Sequence, residues 1–159
     1  MKIIEVTNEN LHVHQNLAQA YEAEFSALTR KMPDQDGIFR LDTPPDALHT
    51  GYLLFDTDIP VGFGIIGLVE GRNDVAEFYV IPSVRGQGLG ESFAHRLFSM
   101  QEGEWQVRQI EDAQKATDFW RKTISTYTNG QFTESIVDDA DWGKVTRQLF
   151  RSNSERYPE

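Results

Sequence analysis

Apolar positions along the chain fall into runs of two different periods. Met1–Thr7 concentrates Ile3, Ile4 and Val6, residues whose bulk favours a strand. Thr7 or Asn8 then offers a helix cap, and Leu17, Ala20, Tyr21, Phe25 and Leu28 recur behind it at helical spacing. Tyr52–Phe55 and Ile59–Val69, joined by Asp56-Thr57-Asp58, predict an antiparallel hairpin. Glu70-Gly71-Arg72-Asn73 turns the chain into a further strand, Val75–Ile81. The next helix carries Leu89, Phe93 and Leu97 on one stripe, with Ala94 and Phe98 beside it. Trp105–Ile110 predicts a strand, and Asp112–Ser125 a helix burying Ala116, Phe119, Trp120, Thr123 and Ile124. Two closing strands, Phe132–Val137 and Lys144–Phe150, flank the acidic turn Asp138-Asp139-Ala140-Asp141.

The resulting order is strand, helix, three strands, helix, strand, helix, two strands. It describes a mixed α/β (α+β) domain around a central sheet. With 159 residues, 39% of them hydrophobic, the chain suits a single domain over residues 1–151, leaving 152–159 as a flexible tail. One stretch has no period. Arg30 to Thr50 carries Pro33, Pro44, Pro45 and Gly37 among Asp34, Asp36, Asp42 and Asp46, with a short helical turn expected at Asp46–His49. Long ordered loops of this kind often carry function.

Charge and cysteine content narrow the classes. Fifteen Lys+Arg against 25 Asp+Glu give a formal charge of −10. That balance argues against non-specific nucleic-acid binding, which needs positive charge to displace counterions from phosphates. No run approaches the roughly 18 apolar residues of a membrane span, and MKIIEVTNEN turns polar after six residues, unlike a secretory signal. The expectation is a cytoplasmic protein, a monomer or homodimer, that avoids membranes. Zero cysteines exclude disulfides, thiolate metal sites and a cysteine nucleophile. His12 and His14 are too close in sequence to face the same side of a helix, and no metal site is expected.

The informative turn is Arg85-Gly86-Gln87-Gly88-Leu89-Gly90, between a strand and a helix. Three glycines in five residues would weaken a regular element by about 1 kcal/mol each. At a strand-to-helix turn they let backbone approach a ligand, and the helix beyond presents unpaired N–H groups. A diphosphate fits, with Arg85 adding a formal charge. A Walker A loop ends in Gly-Lys-Ser/Thr, whereas this turn continues Gly90-Glu91-Ser92. The Gly-x-Gly-x-x-Gly of a dinucleotide fold follows the first strand of a βαβ unit, and neither spacing nor place agrees here.

Val80-Ile81-Pro82-Ser83-Val84-Arg85-Gly86-Gln87-Gly88-Leu89-Gly90 resembles the signature of the GNAT superfamily of acetyl-CoA-dependent N-acetyltransferases, Val-x-Pro-x-x-Arg-Gly-x-Gly-x-Gly/Ala. The element order is similar to that family's over nearly the whole chain. Ala116-Thr117-Asp118-Phe119-Trp120, followed by Gly130-Gln131-Phe132, resembles its second landmark, Ala-x-x-Phe-Tyr…Gly-x/Phe. The resemblance implies a mostly antiparallel central sheet of about seven strands flanked by three to four helices. It implies an acyltransferase that moves the acetyl group of acetyl-CoA to a primary amine. With no cysteine to carry an acyl-enzyme, direct transfer in a ternary complex is the simpler course, and the length of the loop after the first helix suggests a lid over a small acceptor. The pyrophosphate would sit on the amides of Gly86, Gln87, Gly88, Leu89 and Gly90, with Arg85 and Trp120 nearby, and the pantetheine arm would pair with the backbone of Phe78 and Val80.

Acetyl transfer needs a neutral amine, and so a base for the ammonium proton. Glu77 is the charged residue within the otherwise apolar and aromatic Val75-Ala76-Glu77-Phe78-Tyr79-Val80, and family members that use a carboxylate base often draw it from this strand. Asp74 is a second candidate. The family's usual tyrosine is replaced by Trp120, whose indole cannot supply a proton as a phenol can. Tyr127, seven residues on and on the same helical face, is the candidate acid, with Tyr79 and a solvated thiolate that needs no acid as alternatives. Asp34, Asp36 and Phe39 of the aperiodic loop are candidate acceptor contacts, acidic groups for a cation and a ring for its apolar part. The alternative is a non-catalytic acyl-CoA-binding or regulatory module of the same fold, favoured by Trp120 at the tyrosine position.

Overall fold

A computed structural model describes residues 1–153. The elements are β1 (Lys2–Glu5), α1 (Leu11–Thr29), β2 (His49–Asp56), β3 (Ile59–Val69), β4 (Arg72–Val80), α2 (Leu89–Met100), β5 (Gly103–Ile110), α3 (Gln114–Thr128), β6 (Thr133–Asp139) and β7 (Gly143–Ser152), with a 3-10 turn at Pro82–Val84. The seven strands form one open sheet in the order β1-β2-β3-β4-β5-β7-β6. β1–β2, β2–β3, β5–β7 and β6–β7 pair antiparallel, and β4–β5 pair parallel. This is the mixed, mostly antiparallel α/β architecture expected. Of the expected tail, Ser152 instead ends β7 and is buried, while residues 154–159 lie outside the described part.

The chain divides into two compact units. The first comprises Met1–Gly67 and Ala76–Leu89. Its core sets Ala18 of α1 against Leu53 of β2, Phe63 and Ile65 of β3 and Tyr79 of β4, with Val13, Leu17, Tyr21 and Phe55 packed around them. β3 and β4 approach closely at Gly62, where an added Cβ would lie 2.3 Å from the Tyr79 carbonyl oxygen. Helix α1 starts later than the sequence suggests. Its N-cap is Asn10, whose Oδ1 accepts from the Thr7 amide upstream and so orders the turn that leads into the helix. The inward face of α1 is also rotated from expectation. His14, Ala18 and Glu22 are buried while Ala20 and Leu28 are exposed. Hydrophobicity misplaced the stripe because two of its members are polar. His14 packs edge-on to Phe63 at 4.8 Å, and burial holds its pKa down, favouring the neutral ring.

The second unit comprises Leu68–Val75 and residues 90–159. Phe98 of α2 meets Trp105 of β5, Trp120 and Tyr127 of α3 and Phe150 of β7 at ring separations of 4.7 to 6.2 Å. In α3, Thr117, Trp120, Thr123, Ile124 and Tyr127 are buried, whereas Ala116 and Phe119 are half-buried. Asp74, 2% exposed, receives two bonds from Arg108, at 3.1 and 2.9 Å, and one from Gln106 at 2.8 Å. Arg108 also reaches Asp139 at 2.7 Å. Holding these three bonds, Asp74 serves as an ionic tie between β4, β5 and β6.

Candidate active site

Successive side chains of a strand point to opposite faces. Glu77 and Tyr79 therefore share one face of β4, and the ring of Tyr79 lies 5.9 Å from that of Tyr21 on α1. Glu77 is 6% exposed. Loss of hydration disfavours its charged form first, the Thr43 hydroxyl opposes this, the carboxylates of Glu22 and Asp42 add to it, and Lys31 opposes it; together they push the Glu77 pKa up to about 7. The Thr43 hydroxyl has no partner in hydrogen-bond geometry, so its pull on Glu77 is that of a nearby dipole. Tyr21 feels the same surroundings. Burial foremost, then Glu77, Glu22 and Asp42, raises its pKa and keeps the phenol protonated.

The aperiodic segment folds back against α1 through side-chain bonds to its backbone. Gln19 both donates to the Phe39 carbonyl and accepts from the Phe39 amide, each at 2.8 Å. Lys31 Nζ donates to Glu22 Oε2 at 2.9 Å, Asp42 Oδ2 at 2.9 Å and the Arg40 carbonyl at 2.6 Å. Asp34 uses Oδ1 to accept from the amides of Asp36 and Ile38, so its carboxylate closes a turn, and Asp36 contributes an exposed side chain beside it. Met32, Pro33, Asp34, Ile38, Phe39 and Arg40 line an open cleft of about 420 Å³. In place of the expected helical turn at Asp46–His49 the segment bends through Asp46–Leu48 and enters β2 at His49, because Asp46 Oδ1 accepts from the Leu48 amide and contacts the His49 ring.

Beyond Val80 the chain passes through the 3-10 turn to the glycines. Gly86 and Gly88 adopt φ of +78° and +81°, backbone that L side chains rarely take, and an added Cβ at either would meet nothing within 4 Å. The cradle is open, and the amides that begin α2 lie at its end with no carbonyl a turn earlier to bond them. Arg85, expected to face a phosphate, is held elsewhere in this state. Its Nε donates to the Val80 carbonyl at 2.7 Å, its terminal nitrogen bonds both oxygens of Glu24 at 3.2 and 2.9 Å, and its guanidinium lies 5.6 Å from the Tyr79 ring centroid. β4 pairs with β5 only across Asn73–Val75, so Phe78 and Val80 lie beyond those rungs.

The structure thus gathers Glu77, the 31–43 segment and the Arg85–Gly88 part of the turn in the first unit. Tyr127 and Trp120 belong to the second. The Tyr127 hydroxyl lies 2.6 Å from Ser152 Oγ and 3.2 Å from Ser99 Oγ, and Ser152 donates to the Phe98 carbonyl at 2.6 Å. Trp120 is buried edge-on to Phe119 at 5.0 Å. Glu22, Lys31, Tyr21 and Thr43 were not anticipated from sequence. Glu22 sits on the same helical face as Ala18 and one turn after it, where an apolar residue is the rule. Among the described residues no group of three or more His, Cys, Asp or Glu could hold a metal ion, and no helix is long and apolar enough to cross a membrane.

No protein-family model matches the sequence, and no curated protein matches it. Solved structures do. A protein from Bacteroides thetaiotaomicron described as an acetyltransferase of the GNAT family aligns with a TM-score of 0.62 at 14% identity, over 94% of this chain and 86% of that one. An acetyltransferase from Thermus thermophilus gives 0.65 at 16% identity over 95% and 97%. The PaiA N-acetyltransferase of Thermoplasma acidophilum, solved in complex with coenzyme A, gives 0.60 at 10% identity over 92% and 98%. The chain has the fold of the GNAT superfamily.

Proposed function

We propose that residues 1–151 act as one N-acetyltransferase domain that takes acetyl-CoA as co-substrate and acetylates a primary amine by direct transfer. The observation that carries this reading is the pairing of an open glycine cradle with a buried carboxylate on the strand leading into it, Glu77, whose pKa of about 7 suits a base at neutral pH. The coenzyme A complex of the Thermoplasma relative supports the choice of ligand.

In this reading the diphosphate rests on the amides of residues 86–90, and the pantetheine pairs with the backbone of Phe78 and Val80 as an added strand would. Acetyl-CoA supplies an activated acetyl group. Glu77 accepts the proton that the acceptor's ammonium must lose before its nitrogen can attack. The protein's charge of −10 opposes an anionic co-substrate, so binding depends on local donors. Arg85 joins them once it exchanges Glu24 and the Val80 carbonyl for phosphate oxygens. The cleft beside Asp34, Asp36 and Phe39 favours a small cationic acceptor. To act as the acid for the departing thiolate, Tyr127 would give up the hydrogen bonds that its hydroxyl shares with two serines.

That engagement, with Trp120 at the family's tyrosine position, favours the second reading, a module that binds acyl-CoA without turnover. Thermal denaturation with acetyl-CoA, then coenzyme A release across a panel of small amines, tests both. A melting shift with amine-dependent thiol release is expected. A shift without release for any amine supports the binding module, and no shift overturns both readings.

A further inference from the structure

The ammonium of Lys31 has three donors and meets three acceptors: Glu22 on α1, Asp42 eleven residues downstream, and the Arg40 carbonyl. Its side chain is 18% exposed and that of Glu22 only 3%. The bonds close residues 31–42 into a loop at its base and fasten that base to α1. We propose that Lys31 is a positioning residue for the acetyl transfer argued above: it pins the 31–42 loop to α1 and screens Glu22 and Asp42 from Glu77. The inference rests on Glu77 being the base, and it adds the cation that offsets the two carboxylates acting on it.

The charge arrangement around Glu77 gives the pin its consequence. Glu77 shares with Tyr79 the β4 face that packs on Tyr21 of α1, and Glu22 lies on the buried face of the same helix. Tyr21 and Glu22 from α1, and Lys31, Asp42 and Thr43 from the loop, act on or are acted on by its carboxyl. Tyr21 stays neutral, leaving two anions and one cation. Glu22 and Asp42 each push Glu77 towards its protonated form, and Lys31 alone among these charged groups opposes them. Burial would lower the pKa of Lys31, but its bonds to Asp42 and Glu22 outweigh burial and raise it, so it is charged throughout the neutral range. Without that charge, two unscreened carboxylates would hold Glu77 protonated at the pH where it must accept a proton. The same loss would free the segment carrying Asp42 and Thr43.

The test titrates the Glu77 side-chain carboxyl by NMR in 13C-labelled protein, with neither acetyl-CoA nor amine present. Lys31→Met should raise the Glu77 midpoint, by up to about one pH unit. Lys31→Arg should restore it, and Asp42→Asn should move it the opposite way, downward. A purely structural staple would lower the melting temperature in Lys31→Met and Asp42→Asn without moving Glu77 in opposite directions. A Glu77 midpoint that stays in place in Lys31→Met overturns the proposal, as does an unmoved midpoint in Asp42→Asn if Lys31→Met fails to fold. The pH profile of kcat/KM should follow the titration. Shifted titration without thiol release supports the pin and overturns the acetyltransferase reading, whereas unmoved titration with thiol release overturns the pin alone.

Discussion

Replacing Glu77 with Gln should stabilise the fold, by an amount that grows with pH. In the unfolded chain the carboxyl has its ordinary value of 4.5, and in the fold it stands at about 7. The folded state therefore holds the proton more tightly. Below pH 4.5 both states are protonated and the residue is neutral with respect to stability. Between 4.5 and 7 the unfolded state has released its proton while the folded state has not, so stability falls as pH rises, and above 7 the loss is complete. At about 1.4 kcal/mol per pH unit the full loss is about 3 kcal/mol, and most of it develops between pH 5 and pH 8. Gln keeps the shape and removes the charge. Urea unfolding followed by tryptophan fluorescence, at pH 5 and pH 8, should find the stability gain of Glu77→Gln larger at pH 8 by about 2–3 kcal/mol. The difference between the two pH values removes any constant effect of the amide itself. A gain that is the same at both would refute the claim that Glu77 is held above its ordinary range. A carboxylate that costs the fold this much at neutral pH needs a use to explain it.

Two further substitutions address the turn. Gly88→Val places a β-branched residue at φ +81°, which costs about 1–2 kcal/mol, and should abolish the melting shift with acetyl-CoA while the protein still folds; an undiminished shift would sink the turn assignment. Glu24→Gln removes the carboxylate that now holds Arg85, an exposed pair worth up to about 1 kcal/mol, so acetyl-CoA should bind about two- to fivefold more tightly in isothermal calorimetry. Unchanged affinity would take Arg85 out of diphosphate binding.

What could be read beforehand follows a physical line. The glycine turn was legible because left-handed backbone admits few residues, so Gly86 and Gly88 mark the conformation they serve. Glu77 was legible as the one charge in the apolar and aromatic Val75–Val80 part of β4. The strands of both hairpins were legible because period 2 and tight turns are local properties. Glu22 was hidden because the test for a buried helix face is hydrophobicity, and a carboxylate fails it. Its burial is explained only by Lys31, which lies beyond the end of α1 and reaches back to it. The same three-dimensional closure brings Asp42 to Lys31, and neither spacing nor composition encodes that meeting. Asp34 has a local role that acidity alone does not reveal. Its acidity suggested a ligand contact, while its shortness lets it close its own turn through the amides of Asp36 and Ile38. Arg85 matched the expected motif and is nonetheless engaged by Glu24, 61 residues away in the chain.

The central claim is that a buried carboxylate on β4 takes the acceptor's proton during acetyl transfer, and a pH profile tests it most directly. With the best amine of the panel, kcat/KM for coenzyme A release from acetyl-CoA should rise through a midpoint near 7, the value set at Glu77. Glu77→Gln should lower kcat/KM by about 10²–10⁴ and remove that limb of the profile. Turnover within twofold of the parent protein, on a profile that keeps its limb near pH 7, would contradict the account.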